Sequence, residues 1–388
     1  MTVDTLERRY LSGTFAELCR IESPSGHERE CGERVIAELR SLAVAVEEDG
    51  AGKAVDSDCG NLLARIPGRP GMADVSRRSV LLCAHLDTVP LQSPVEPVLV
   101  DDVWENANEG ILGADNKAAI AVLLALARHV HREGAPVDLE LLFTVREETS
   151  LAGARAFDAT RLRSDLGYVF DHSTPIGEII TAAPSHYRIE ASFHGAAAHA
   201  GVRPQEGRSA ILAAARAITA MRVGRLDAGA TANVGTIVGG TAMNVVPERC
   251  TLVAEVRALS DERAEEIVAE MVDRVHEAAN LPECECDVDV TAQRTFSAYR
   301  LAPASPAVRA AEEALRVCGH EPVHISSGGA SDAGALTAHG LQVVNLANGT
   351  ERNHEPGERV SVLALEQMLD VALALLDTVA ALPAGSVS

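Results

Sequence analysis

Ser79-Val80-Leu81-Leu82-Cys83-Ala84-His85-Leu86-Asp87-Thr88-Val89-Pro90 is an apolar run of strand length that closes on a histidine and an aspartate and then meets a proline. A strand covered on one face alternates apolar and polar residues. This one does not, so it reads as a strand of a parallel sheet with helices on both faces. Working outward, residues 139–145 and 166–170 repeat the buried-strand pattern, residues 61–66 read as a shorter strand, and 6–19, 28–42 and 117–131 carry helical spacing. That alternation predicts an α/β layered domain. Open sheets of this class take ligands beyond the carboxyl ends of their strands, which puts His85 where a site is expected.

Between 185 and 295 the pattern changes to strands at 186–194, 232–238, 250–258 and 286–291 with helices at 208–221 and 263–278. Two helices among four alternating strands predict a ferredoxin-like α+β unit. Thr181-Ala182-Ala183-Pro184-Ser185 and Leu301-Ala302-Pro303-Ala304-Ser305-Pro306 read as the crossing points. A helix at 307–318, a strand at 342–346 and a long helix at 362–381 then restore the α/β pattern. The expectation is one domain built from 1–184 and 296–388 around a central mixed sheet, with an inserted domain at 185–295.

Composition narrows what such a chain does. Its 388 residues fit two domains, and 47% apolar with 23% charged residues excludes a disordered chain. A net charge of −22 makes nucleic acid and anionic lipid poor partners. The longest apolar run, 118–127, falls short of the roughly eighteen residues a spanning helix needs. The first nine residues lack the basic start and apolar stretch of a secretory leader. Eight scattered cysteines fit reduced thiols, so a cytoplasmic protein is expected. Cys284 and Cys286 have no second cysteine pair at zinc-ribbon spacing.

Five stretches carry candidate chemistry. His85 ends the quoted strand, and Asp87 could accept from its second imidazole nitrogen and fix the tautomer. Asp115, in Gly113-Ala114-Asp115-Asn116-Lys117, is either an ordinary helix N-cap or a carboxylate able to bridge two cations. Glu147 and Glu148 follow a buried strand. Adjacent residues point in different directions, so one can bind a metal while the other faces a water as general base, although surface Glu-Glu pairs are also common. Asp171 ends another strand, in Tyr168-Val169-Phe170-Asp171-His172, and His354 lies in a loop rich in Gly and Asn. Mixed nitrogen and oxygen ligands with a surplus of carboxylates suit zinc, or cobalt and manganese in its place, and a two-metal site.

In this order, and with His-Ala-Gly at 199–201, Pro204, Gly207 and Gly-Gly-Thr-Ala-Met-Asn-Val-Val-Pro at 239–247, the motifs resemble the co-catalytic two-zinc metallohydrolases that include peptidase T, carboxypeptidase G and the aminoacylases. The resemblance runs from about Leu11 to Leu376. Residues 111–117 and Ser331-Asp332-Ala333 look most like the peptidase T branch. It implies a dizinc catalytic domain and an inserted ferredoxin-like lid and dimerisation domain. One zinc would be held by His85 and Asp171, the other by Glu148 and His354, with Asp115 bridging, Asp87 supporting His85, and Glu147 activating a hydroxide between the metals. His199, Asn244 and Arg257 match substrate-contacting positions, His199 serving the site of the other subunit in a homodimer. Arg257 suits a substrate carboxylate, or is a strand-surface ion pair.

His172, His186 and His194 read as neighbours or structural residues. Gly328-Gly329-Ala330-Ser331-Asp332 lacks the Gly-Lys-Ser/Thr of a P-loop and reads as shaping a substrate pocket. No serine has a Gly-x-Ser-x-Gly setting. The expected activity is exopeptidase cleavage of short peptides, as in a tripeptide aminopeptidase. An N-acyl amino acid deacylase or biosynthetic amidohydrolase is the alternative within that chemistry. A metal-free binding protein is the alternative outside it. A homodimer is expected through the inserted domain, with the alternating strand 186–194 as a contributor.

Overall fold

The computed structural model describes residues 5–69 and 78–383, so residues 1–4 of the leader reading lie outside the described residues. The chain divides into two compact units, Met1–Thr181 with Arg300–Ser388, and Ala182–Tyr299.

The first unit is built on a nine-stranded mixed sheet. Its centre runs, in spatial order, Leu62–Ile66, Asp138–Thr144, Ser79–His85, Leu166–Phe170 and Gln342–Leu346. The last four are mutually parallel, and Leu62–Ile66 is antiparallel to its neighbour. Parallel pairing aligns the carboxyl ends of these strands on one edge of the sheet, with His85 opposite Thr144. The parallel strands are almost wholly buried, which is why they read as continuous apolar runs. Helix Ala114–Glu133 is buried on every side from Ala114 to Ala127 because it packs against the sheet and against helices Thr5–Cys19 and Val362–Ala380. A separate four-stranded sheet, Thr350–Glu351, Arg359–Ser361, Val103–Asn106 and Pro97–Val100, carries the loop that holds His354. The sequence reading did not find it, since its strands are two to four residues long.

The second unit is a five-stranded antiparallel sheet in the order Gly224–Asp227, Ala230–Gly239, Arg249–Ala258, Ser185–His194, Asp287–Phe296. Helices Ala210–Ala220 and Asp261–Ala279 cover it, and their alanines and aliphatics form one core with Ile189, Phe193, Leu252 and Val256. This is the ferredoxin-like arrangement with one short extra strand. One expectation is corrected: strand Ser185–His194 is paired along its length on both sides, so it has no free edge to offer a second chain. Among the described residues, main-chain edges stay open on Asp287–Phe296, the last strand of the sheet, and on the part of Ala230–Gly239 beyond residues 230–232, where its outer neighbour stops. No helix among the described residues is long and apolar enough to cross a membrane. All eight cysteines are unpaired, and seven are buried.

Candidate metal centre

His85, Glu147, Glu148 and Asp171 follow or end three adjacent parallel strands, so the sheet register alone brings them to one edge. The fourth contribution comes from the distorted first turn of helix Ala114–Glu133. Gly113 there is left-handed, with φ 75°, and Asp115 has a non-helical ψ of 104°, so Asp115 is not the ordinary cap residue of the helix. The His354 loop supplies the fifth candidate ligand, His354 itself adopting a left-handed φ of 69°.

Asp115 sits at the centre. Its Oδ1 is 3.3 Å from His85 Nε2, and its Oδ2 is 3.1 Å from His354 Nε2. Behind His85 stands Asp171, with Oδ1 at 3.8 Å, and beside His354 stands Glu148, with Oε1 at 2.9 Å. The two oxygens of one carboxylate thus face two separate His-plus-carboxylate pairs. Candidate ligand atoms of His85, Glu147 and Asp171 lie within 4.8 Å of one another, as do those of His85, Asp115 and Glu148.

Four carboxylates gathered in so small a buried space repel one another. Burial and the Asp171 charge hold the Glu147 carboxyl well above its ordinary range, and burial with the Asp115 charge pushes Asp171 up to about 7. Burial also raises Glu148. Asp115 moves the other way: burial opposes its ionisation, but hydrogen bonds to His354 and His85 outweigh that and hold it low. His354, caught between Asp115 and Glu148, is raised to about 10. Surplus negative charge with imidazole nitrogens interleaved is what a divalent cation would neutralise, so these residues fit a metal.

Asp87 departs in detail from the expectation. His85 Nδ1 is 2.9 Å from the backbone oxygen of Asp87 and 3.4 Å from its carboxylate. The carboxylate instead accepts the backbone N–H groups of Glu147 and Glu148, at 2.9 and 3.2 Å, and the Ser25 hydroxyl at 2.6 Å. Glu28 accepts the preceding amide, Arg146 N–H, at 3.1 Å. Asp87 therefore holds both the histidine ring and the turn that carries the two glutamates.

Sequence reasoning missed Glu28 and Glu358, which act on main-chain amides and have no motif of their own. It placed Asp332 in a stretch that resembles the peptidase T branch and in a loop shaping a substrate pocket, whereas Asp332 opens helix Asp332–Ala338. That carboxylate is buried, accepts from Thr144 Oγ1, and is pushed up to about 6 by burial.

In the second unit His199 and Asn244 are brought side by side, the Ala200 N–H donating to the Asn244 carbonyl at 2.9 Å and His199 bridging to Val245. Both are exposed. Arg257 is not with them. It lies on strand Arg249–Ala258, where its guanidinium meets Glu255 at 3.2 Å, and His186 meets the same carboxylate at 3.1 Å.

Residues 185–281 match the peptidase dimerisation domain, and residues 61–174 match peptidase family M28. The aminopeptidase PepT of Bacillus cereus is 32% identical, with 96% of this chain and 99% of that one covered and a TM-score of 0.86. The chain belongs to the peptidase T-like family of metallopeptidases. A tripeptidase of Staphylococcus aureus is 30% identical over 97% of this chain and 99% of its own, with a TM-score of 0.90. The uncharacterised YqjE of Bacillus subtilis is 32% identical over 375 residues, 96% of this chain and 99% of that protein. Membership makes this metallopeptidase's strand-end cluster its candidate metal centre, and the M28 match spans four of the five candidate ligands, His85, Asp115, Glu148 and Asp171.

Proposed function

We propose that this chain is a two-zinc exopeptidase that removes a terminal residue from short peptides, tripeptides foremost. The observation that carries it is Asp115, one carboxylate with an oxygen toward each of two His-plus-carboxylate pairs. In this reading His85 and Asp171 would hold one ion and Glu148 and His354 the other, with Asp115 available to both. Bound there, the ions supply a lowered pKa for water and a Lewis acid for the scissile carbonyl oxygen. Glu147 takes the proton from the attacking water and delivers it to the leaving amine as the C–N bond breaks, ending as it began. Asp87 keeps Glu147 in place through its backbone, and its carbonyl fixes the His85 tautomer.

His199 and Asn244 are assigned to the substrate, and a homodimer through the 185–281 domain lets His199 serve the partner's site. Arg257 is assigned to a substrate carboxylate, which requires it to leave Glu255. Tripeptides are preferred to N-acyl amino acids because PepT and the tripeptidase match along their full length at 30% identity or more. The free thiols support a cytoplasmic setting. Turnover of zinc-loaded protein on tripeptides, dipeptides and N-acyl amino acids tests the reading. Efficient hydrolysis of N-acyl amino acids with none of tripeptides would make it a deacylase.

A further inference from the structure

Glu358 is 1% exposed, and its carboxylate accepts three backbone N–H groups: Leu112 at 2.8 Å and Gly113 at 2.7 Å on Oε2, and Asp115 at 2.9 Å on Oε1. Amides at the start of a helix have no intrahelical partner, so this turn depends on a group from elsewhere in the fold. That group lies four residues beyond His354, between short strands Thr350–Glu351 and Arg359–Ser361. One loop therefore supplies the imidazole that faces Asp115 Oδ2 and the carboxylate that fixes the Asp115 backbone. Because Asp115 has one oxygen toward each histidine, a shift of its main chain misplaces both oxygens at once.

We propose that Glu358 is a positioning residue for the metal centre: by clamping the turn 112–115 it sets where the Asp115 carboxylate stands, and its loss weakens both ion positions together. The proposal rests on the two-metal reading above. A purely structural role is the competing explanation, and Glu140 is its matched control. Glu140 is equally buried and accepts the amides of Arg163 and Ser164, each at 2.9 Å, the Ser164 hydroxyl at 2.7 Å and, unlike Glu358 among the described residues, an arginine, Arg65 Nε, at 2.9 Å. Arg163 and Ser164 lie just before strand Leu166–Phe170, at the end of the sheet opposite the metal ligands.

The test uses full-length wild type, Glu358→Gln, Glu358→Asp and Glu140→Gln, stripped of metal. Each is titrated with Zn2+ against a chromophoric chelator and with Co2+ by visible absorption. Glu358→Gln is expected to raise both Zn2+ dissociation constants by roughly 10–100-fold and to alter the Co2+ spectrum, with turnover recovered at excess Zn2+. Glu358→Asp keeps the charge but is one methylene short of spanning both oxygens' partners, and is expected to lose less. Glu140→Gln should lower the thermal midpoint and leave both constants at their wild-type values. Wild-type constants in Glu358→Gln, or a loss confined to one position, overturn the proposal. Should Glu358→Gln fail to fold, wild-type constants in Glu358→Asp overturn it equally. A wild-type chain that binds no ion overturns the two-metal reading itself, before any variant is compared.

Discussion

Replacing Glu147 by Gln separates chemistry from architecture at this site. The side chain is 8% exposed, and its carboxylate takes part in no hydrogen bond among the described residues. What holds the residue is its main chain: its N–H donates to Asp87 at 2.9 Å, and its carbonyl accepts from Leu151 N–H at 2.8 Å. The amide keeps the shape and leaves those bonds intact, so the stability change should stay within about 1 kcal/mol. Removing a carboxylate from a cluster already crowded with negative charge relieves repulsion in the metal-free protein, which also argues against a loss. Turnover is another matter. An amide cannot accept the proton, so kcat should fall by roughly 10²–10⁴-fold, about 2.7–5.5 kcal/mol in the activation barrier, with KM little changed. Glu148→Gln should behave differently, since Glu148 Oε1 stands 2.9 Å from His354 Nε2, the pair proposed to hold one ion. It should lose metal, and activity should return in part with added Zn2+. Metal content by plasma emission, thermal midpoint and steady-state tripeptide hydrolysis on both variants decide the matter. Near-normal turnover in Glu147→Gln, or metal lost from it while Glu148→Gln keeps both ions, refutes the assignment.

Removal of metal with a chelator should abolish hydrolysis and addition of Zn2+, Co2+ or Mn2+ should restore it; full turnover in protein shown to be metal-free would remove the mechanism. Metal uptake should release protons. Asp115 and Glu148 raise His354 to about 10, so at pH 8 the apo imidazole is charged and must shed its proton to ligate. Apparent affinity should therefore climb with pH, by about tenfold per unit for each proton released, and calorimetry in buffers of different ionisation enthalpy should count at least one. In the second unit, Ile237 and Val238 are 47% and 72% exposed on the part of strand Ala230–Gly239 whose outer edge is unpaired among the described residues. Val238→Asp should shift a dimer toward monomer in light scattering, whereas an unchanged dimer places the contact elsewhere.

The part of the site that could be read from the chain is the part decided by near neighbours in sequence. An apolar run ending in His85, another followed by Glu147 and Glu148, and a third ending before Asp171 each announce a buried strand with chemistry at its carboxyl end, and parallel register does the rest. The inserted unit was legible for the same reason, because its alternating strands and amphipathic helices are complete local patterns. Its pairing order was not. Nothing in Ser185–His194 marks it as central, and only the register with both neighbours shows that its edge is already used. Asp87 illustrates a finer limit: the aspartate was found, but its carboxylate, 3.4 Å from the histidine, also takes the Glu147 and Glu148 amides 60 and 61 residues away, and its carbonyl stands nearer the ring. Glu358 is the extreme case. It meets Leu112 across 246 residues, and what it recognises there is an N–H group that every residue except proline possesses. A metal ligand must be one of a few side chains and so leaves a trace in the sequence. A carboxylate that serves main-chain amides has partners without chemical identity, and only the folded chain can say which turn it holds.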